Sequence, residues 1–254
     1  MTVNCKYFDI NNDGHSIKCK LFCEAVREIE HIVMFVHGYG GHKDTRAAEH
    51  FAESYFSKKK KCGVLIFDLP GHGTDVKKKI TLEDCDTYIR MVLDYIDSGL
   101  KVKDICAYGT SFGGYLILKY IHEHDSNPFR KIVLRCPAIS MADVLTKRVM
   151  NEENIALLNK GKDVYTGFDR KVLIDKSFLD NLCKCDIRKW EYYDFADDIM
   201  IIHGTKDEII PYEEVKAFAE DNILENIMIE DADHRFQDLN KMKLAHSYMV
   251  EFIL

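Results

Sequence analysis

The chain has 254 residues, 46% hydrophobic and 30% charged, with a formal net charge of −7. That balance suits a soluble globular protein with a substantial core and speaks against a nucleic-acid binder, which needs a basic face. The basic run Lys58-Lys59-Lys60-Lys61 lies between a helical and a strand pattern and reads as a solvated helix end. No apolar stretch approaches the ~18 residues of a membrane span. The polar start MTVNCKYFDINNDG lacks the apolar centre of a secretory signal. The nine cysteines are odd in number and scattered, so no disulfide framework is expected. Cys106 and Cys136 sit in apolar runs as core residues, and Cys183-x-Cys185 has no second pair at zinc spacing. The expectation is a reduced, cytoplasmic chain without metal, membrane span or nucleic-acid partner; monomer or homodimer is left open.

Strand and helix patterns alternate along most of the sequence. KYFDI and IKCKLFC suggest an opening antiparallel hairpin turned by Asn12-Asp13-Gly14. HIVMFV (31–36) is a β-branched run of the kind buried on both faces. Residues 46–57 have helical spacing, and GVLIFD (63–68) is again a buried strand. Thr81 opens the next helix with Asp84 three residues on, and Gly99 stops it. Then come a strand at 104–109, a helix from Ser111 to about His124 and a strand at 131–136. After a gap the alternation resumes with a strand at 198–204, a helix at 212–222, a strand at 226–230 and a closing helix at 240–254. Such alternation predicts an α/β fold with a mostly parallel, doubly wound sheet covered by helices on both faces. Residues 138–195 break it with a helical, charged texture that holds the single tryptophan, Trp190. A segment that long between two strands reads as a lid inserted into one domain spanning 1–254.

The chemistry centres on AYGTSFGGY (107–115), where Ser111 stands in a Gly-x-Ser-x-Gly directly after a strand and directly before a helix. That is where a nucleophile elbow puts its serine. Gly109 and Gly113 remove side chains that would clash across so sharp a turn, and Gly114 lets the helix start sit tightly on the sheet. The plainer reading is a glycine-rich turn with a serine N-cap. A serine nucleophile needs a base, and the base a carboxylate. Asp207, three residues past MIIHG, and His234, four past NIMIE, follow Ser111 in the required order, each just beyond a strand. Glu208 competes with Asp207 but should point the other way, whereas Asp231 and Asp233 read as loop-shaping carboxylates. Among eleven histidines, His37 and His203 precede glycines at strand ends and His72 lies in DLPGHG; all three read as turn residues. For an oxyanion, one donor would be the Phe112 N–H and the other the Tyr39 N–H in VHGYGGH (36–42). That loop has neither G-x-x-x-x-G-K-[ST] nor G-x-G-x-x-G, so a phosphate cradle is disfavoured.

HGYGG, DLPGHG, GTSFGG, HGTKDEIIP and DADHRF, in this order along essentially the whole chain, resemble the α/β-hydrolase superfamily. Within it the chain looks like small bacterial carboxylesterases of the cinnamoyl (feruloyl) esterase group and the related serine-aminopeptidase-like and monoacylglycerol-lipase-like hydrolases. The resemblance implies Ser111 as nucleophile, His234 as base, Asp207 as acid, and Tyr39 and Phe112 as oxyanion donors. It implies a cofactor-free hydrolase that cleaves a small-molecule carboxylic ester through an acyl-enzyme, beneath a lid at residues 138–195. The chain departs from the common Gly-His-Ser-x-Gly by carrying Thr110 and Phe112 beside the serine, and Phe112 is expected to make the acyl-pocket floor more apolar. Tyr165, Phe168, Trp190, Tyr192 and Tyr193 either line a pocket or form the lid's own core. Thioester, aminopeptidase-like or acyl-transfer chemistry with the same residues remains the alternative, with a non-catalytic binding protein of this fold behind it. Haloalkane or epoxide chemistry would want an aspartate at position 111.

Overall fold

In the computed structural model, which describes residues 4–12 and 14–254, the apolar runs assemble into one eight-stranded sheet. Cys5–Asn12 (β1) and His15–Cys23 (β2) form the antiparallel hairpin, in register from Cys5↔Phe22 to Asn12↔His15. Asp13, the centre of its expected turn, lies outside the described residues. There follow His31–Val36 (β3), Arg46–Lys58 (α1), Cys62–Phe67 (β4), Leu82–Asp94 (α2), Asp104–Thr110 (β5), Phe112–Glu123 (α3) and Ile132–Arg135 (β6). The next stretch holds Met141–Val144 (α4), Glu152–Asn159 (α5), the strands Val164–Thr166 (β7) and Val172–Ile174 (β8), and Lys176–Lys184 (α6). Ile199–Gly204 (β9), Tyr212–Asp221 (α7), Glu225–Ile229 (β10) and Leu239–Ile253 (α8) complete the chain. The strand order is β1-β2-β4-β3-β5-β6-β9-β10. From β4 to β10 every pairing is parallel, and β2 runs antiparallel to both of its neighbours.

Side chains on a strand alternate between its faces, and here both faces are apolar. On β3, Ile32, Met34 and Val36 join one buried layer with α2, α3 and α7, while Val33 and Phe35 join the other with α1 and α8. This explains why the parallel strands read as unbroken apolar runs. At the start of α2 the Thr81 hydroxyl accepts the Asp84 N–H at 3.0 Å, the N-cap half of the expected capping box. α2 does not stop at Gly99 but loosens into a π turn, Tyr95–Leu100, that ends where Lys101 takes a left-handed φ of 60°.

Residues 138–195 are not wholly helical as expected, because β7 and β8 pair antiparallel within them. Strands of three residues carry too little alternation to show in a sequence. Leu145, Leu158, Ile174, Phe178 and Leu182 of this stretch pack into the same apolar layer as α3 rather than into a core of their own.

The joint between β5 and α3 leaves no room for side chains. A Cβ on Gly113 would lie 2.0 Å from the Val36 carbonyl oxygen, and one on Gly109 would lie 2.7 Å from the Gly114 Cα. Gly113→Ala is therefore expected to destabilise by about 1–3 kcal/mol as overpacking. Thermal unfolding should show this as a Tm roughly 2–4 °C lower per kcal/mol. An unchanged Tm would contradict the close approach.

Candidate active site

Ser111 is the residue between β5 and α3, with φ 52° and ψ −118°, a conformation L-residues rarely adopt. Backbone hydrogen bonds hold it there, among them one from the Tyr115 N–H to its carbonyl at 3.2 Å. Its N–H donates to the Arg135 carbonyl at 3.0 Å, and its own carbonyl accepts from Gly114 and Ala138, each at 3.0 Å. The turn is thereby tied to the end of β6 and aims the side chain outward beyond the carboxyl ends of the strands.

His234 and Asp207 come to the same rim from the loops after β10 and β9. His234 Nε2 lies 3.1 Å from Ser111 Oγ, and His234 Nδ1 lies 2.8 Å from Asp207 Oδ2. A carboxylate only accepts, so Nδ1–H donates to Asp207 and Nε2 is left to accept from the serine hydroxyl. Asp207 is fully covered and also takes the Ile209 and Ile210 N–H groups on Oδ1, at 2.9 and 2.8 Å. Burial opposes its ionisation, but the hydrogen bond and charge of His234, with help from His203 and Ile210, hold its carboxyl below the ordinary range. Glu208 does not turn wholly away: its carboxylate accepts the His234 backbone N–H at 3.3 Å and bonds the main chain rather than the ring. Asp233 accepts the Gln237 N–H, and Asp231, at φ 57°, pairs with Lys206 at 2.8 Å.

The other strand-end histidines are buried fasteners. His203 Nε2 sits 3.0 Å from the Ile210 carbonyl and 3.2 Å from Asp207 Oδ2, on the far side of that carboxylate from His234. His37 donates from Nδ1 to the Gly38 carbonyl at 2.8 Å and accepts the Leu69 N–H on Nε2 at 3.1 Å. His72 donates to the Pro70 carbonyl at 2.9 Å and accepts the Gly40 N–H at 3.0 Å. Both rings must be neutral to accept, and burial lowers them to about 4 for His37 and about 3 for His72. Together they fix the loop over 38–41. Among the described residues, the Tyr39 and Phe112 amides have no acceptor within the protein, although neighbouring amides of the same loop and turn do.

These groups border a cavity of about 820 Å³. Thr110, Tyr39, Ser111 and His234 line it, with Met141, Val144, Val149 and Phe168 on its apolar side. The Phe112 side chain does not form the pocket floor. It is fully buried beneath the turn, packed among Tyr39, Tyr115 and Phe178, because the first turn of α3 points it into the core layer. Of Tyr165, Phe168, Trp190, Tyr192 and Tyr193, only Phe168 reaches the pocket. Trp190 stacks on His122 with ring centroids 4.2 Å apart, Tyr192 is buried against Phe218, and Tyr165 and Tyr193 are exposed. Sequence reasoning missed the charged lining altogether: Arg46, Arg135, Arg170 and Arg235 border the cavity with Glu49 and Asp169. Arg135 carried a signal, as a cation ending the buried run KIVLRC. All nine cysteines are free thiols. Cys136, His203 and Asp207 offer ligand atoms within 4.8 Å of one another. Asp207 is already engaged by His234 and His203 lies against the Ile210 carbonyl, so these groups are committed to the hydrogen-bond network behind the site.

A parallel sheet, a serine on a strained strand-to-helix turn and a histidine–aspartate pair on the same rim define the α/β-hydrolase class. Residues 27–165 match the family model described as serine aminopeptidase, S33, and the chain belongs to that hydrolase family. No curated protein sequence matches it. The fold is similar to Est1E from Butyrivibrio proteoclasticus, solved with ferulic acid bound, at TM-score 0.76 and 22% identity over 97% of this chain and 99% of that one. It is similar to mouse alpha/beta hydrolase domain-containing protein 10 at TM-score 0.71 and 16% identity over 98% of each chain. The monoacylglycerol lipase of Paleococcus ferrophilus gives TM-score 0.64 and 18% identity over 93% of this chain and 98% of that one. Among the described residues no helix is long and apolar enough to cross a membrane.

The buried imidazoles also couple stability to pH. His37 is held to about 4, and His72 and His246 to about 3, against an ordinary 6.5. Between those values the unfolded chain binds protons that the folded chain refuses, so lowering the pH stabilises the unfolded state. Urea unfolding is expected to give stability that is level above about pH 7 and falls from about pH 6.5 to pH 4, each ring contributing at most roughly 1.4 kcal/mol per pH unit. His246 has no hydrogen-bond partner on either nitrogen, so His246→Phe should make the slope shallower. A profile flat from pH 7 to 4.5 would refute neutral buried rings.

Proposed function

We propose that this hydrolase is a serine esterase acting on carboxylic esters, with Ser111 as nucleophile, His234 as base and Asp207 as the orienting acid. The observation that carries this is the unbroken chain from Ser111 Oγ through His234 to Asp207, at 3.1 and 2.8 Å, on the wall of a large cavity. As Ser111 Oγ bonds to the ester carbonyl carbon, its proton passes to His234 Nε2, and the Asp207 carboxylate stabilises the imidazolium. The oxyanion would take the Tyr39 and Phe112 N–H groups, which have no other acceptor among the described residues. Collapse breaks the bond to the leaving alkoxide, which takes the proton from Nε2 and departs as the alcohol. Water, deprotonated by the same imidazole, then attacks the acyl-enzyme and releases the acid.

We read 1–254 as one domain in which 138–195 cap the pocket. Met141, Val144, Val149 and Phe168 of that stretch support this by lining the cavity, and Thr166 Oγ1 lies 2.6 Å from the Tyr39 hydroxyl. An Asp169–Arg235 pair at 2.6 Å joins it to the loop of His234. The family description raises peptide amino termini as substrates. An α-ammonium group needs carboxylates to receive it, and both acids of the lining are taken, Glu49 by Lys20 and Asp169 by Arg235. That favours an ester over an aminopeptidase substrate.

A fluorophosphonate should label the wild-type protein and not Ser111→Ala. On 4-nitrophenyl esters, Ser111→Ala should lose about 10⁴-fold or more in kcat and Asp207→Asn roughly 10⁴-fold. Turnover confined to aminoacyl anilides or acyl-CoA thioesters would replace the ester assignment. Folded protein without labelling or turnover would favour a binding role.

A further inference from the structure

Arg135 ends β6 on the cavity wall that it shares with Ser111 and His234. The residue is 7% exposed, yet among the described residues it makes no ion pair. Among these residues its hydrogen bond within reach runs from Nη1 to the His234 carbonyl at 3.5 Å, its Cζ lies 5.3 Å from the centre of the Phe236 ring, and its Nε is unpaired, with the neutral Tyr108 hydroxyl beside the guanidinium. A guanidinium presents five N–H donors and stays charged throughout the range in which proteins fold. Burying it without a counter-charge is costly, and one long hydrogen bond with an aromatic face compensates only part of that cost. Its surroundings supply no anion either. Tyr108, the neutral His246 ring and the Cys136 thiol, which burial keeps protonated, are nearby titratable groups on that side of the sheet.

The rest of the lining carries the same sign. Arg46 and Arg170 have no acidic partner among the described residues, whereas Glu49 and Asp169 are each engaged by a cation. A chain of net charge −7 thus keeps a positive excess at this one opening. We propose that Arg135 forms an anion subsite beside Ser111 and that the ester cleaved by this protein carries a carboxylate. A carboxylate balances one buried guanidinium charge for charge and accepts two parallel N–H groups. The substrate class is a half-ester of a dicarboxylic acid, or an ester whose alcohol bears a carboxylate. This rests on the esterase assignment of Ser111 and refines its substrate.

Two matched pairs test it with the enzyme as it stands: 4-nitrophenyl hemiadipate against 4-nitrophenyl hexanoate, and 4-acetoxybenzoate against its methyl ester. The first puts the charge on the acyl side and the second on the leaving group. In at least one pair the anionic member is expected to have a kcat/KM at least about tenfold higher, mainly through KM. That ratio should collapse in Arg135→Gln and return in part in Arg135→Lys. Calorimetric titration of Ser111→Ala with both members of each pair reads the subsite apart from turnover, and the anionic member should bind about tenfold tighter in at least one pair. Equal or better turnover and binding of the neutral member in both pairs would overturn the proposal while leaving an esterase intact. A preference that survives in folded Arg135→Gln would also overturn it. Selective binding of the anion with no turnover of either member would instead fail the esterase assignment and keep the subsite.

Discussion

The geometry of the whole rim hangs on how closely the turn at Ser111 approaches the ends of β3 and β6. Gly113 lies against the Val36 carbonyl, Ser111 N–H is bonded to Arg135, and the Ser111 carbonyl receives Gly114 and Ala138. A residue at φ 52° persists only where its surroundings over-determine it. Here two neighbouring strands and the start of α3 do so. The same knot sends the chain from β6 straight past the pocket, so the first residues after Cys136 are positioned by the turn that presents the serine. Placement of Met141 and Val144 on the cavity wall follows from that path.

Around this knot the charges are arranged by burial rather than by number. Asp207 is fully covered at the rim, and two imidazoles approach it, His234 from the pocket and His203 from the interior. His37 and His72 are kept neutral by burial and use both ring nitrogens to pin the loop that follows β3. This explains why these four histidines cluster near the site while only His234 faces Ser111. Against so many neutralised groups, the permanently charged Arg135 stands out, since a guanidinium cannot escape burial by losing its proton.

The stretch between β6 and β9 is packed into the same apolar layer as the sheet's helices. Its apolar side chains enter the layer that covers α3, and Trp190 and Tyr192 fasten it to His122 and Phe218. Only Met141, Val144, Val149 and the edge from Phe168 to Arg170 reach the cavity. An aromatic-rich segment therefore contributes little aromatic surface to the site.

The parallel strands β3, β4, β5, β6 and β9 were legible because burial on both sheet faces forces dense apolar runs bounded by polar turns, whereas the mostly exposed β1 showed through its hairpin pattern with β2. The order of Ser111, Asp207 and His234 was legible for a related reason. Each follows a strand directly, and parallel strands deliver their carboxyl ends to one rim. What the sequence could not decide was direction and partnership. Phe112 and Thr110 flank the same serine, yet the twist of the turn sends one into the core and the other to the pocket. Glu208 meets a backbone amide because of a loop path set by β10, and β7 and β8 are too short to leave a period. Arg135 looks like any strand-end cation until the fold encloses it and denies it a carboxylate. Local pattern determines which residues become strand, helix or turn; only packing between distant segments determines what each charged or aromatic side chain then faces.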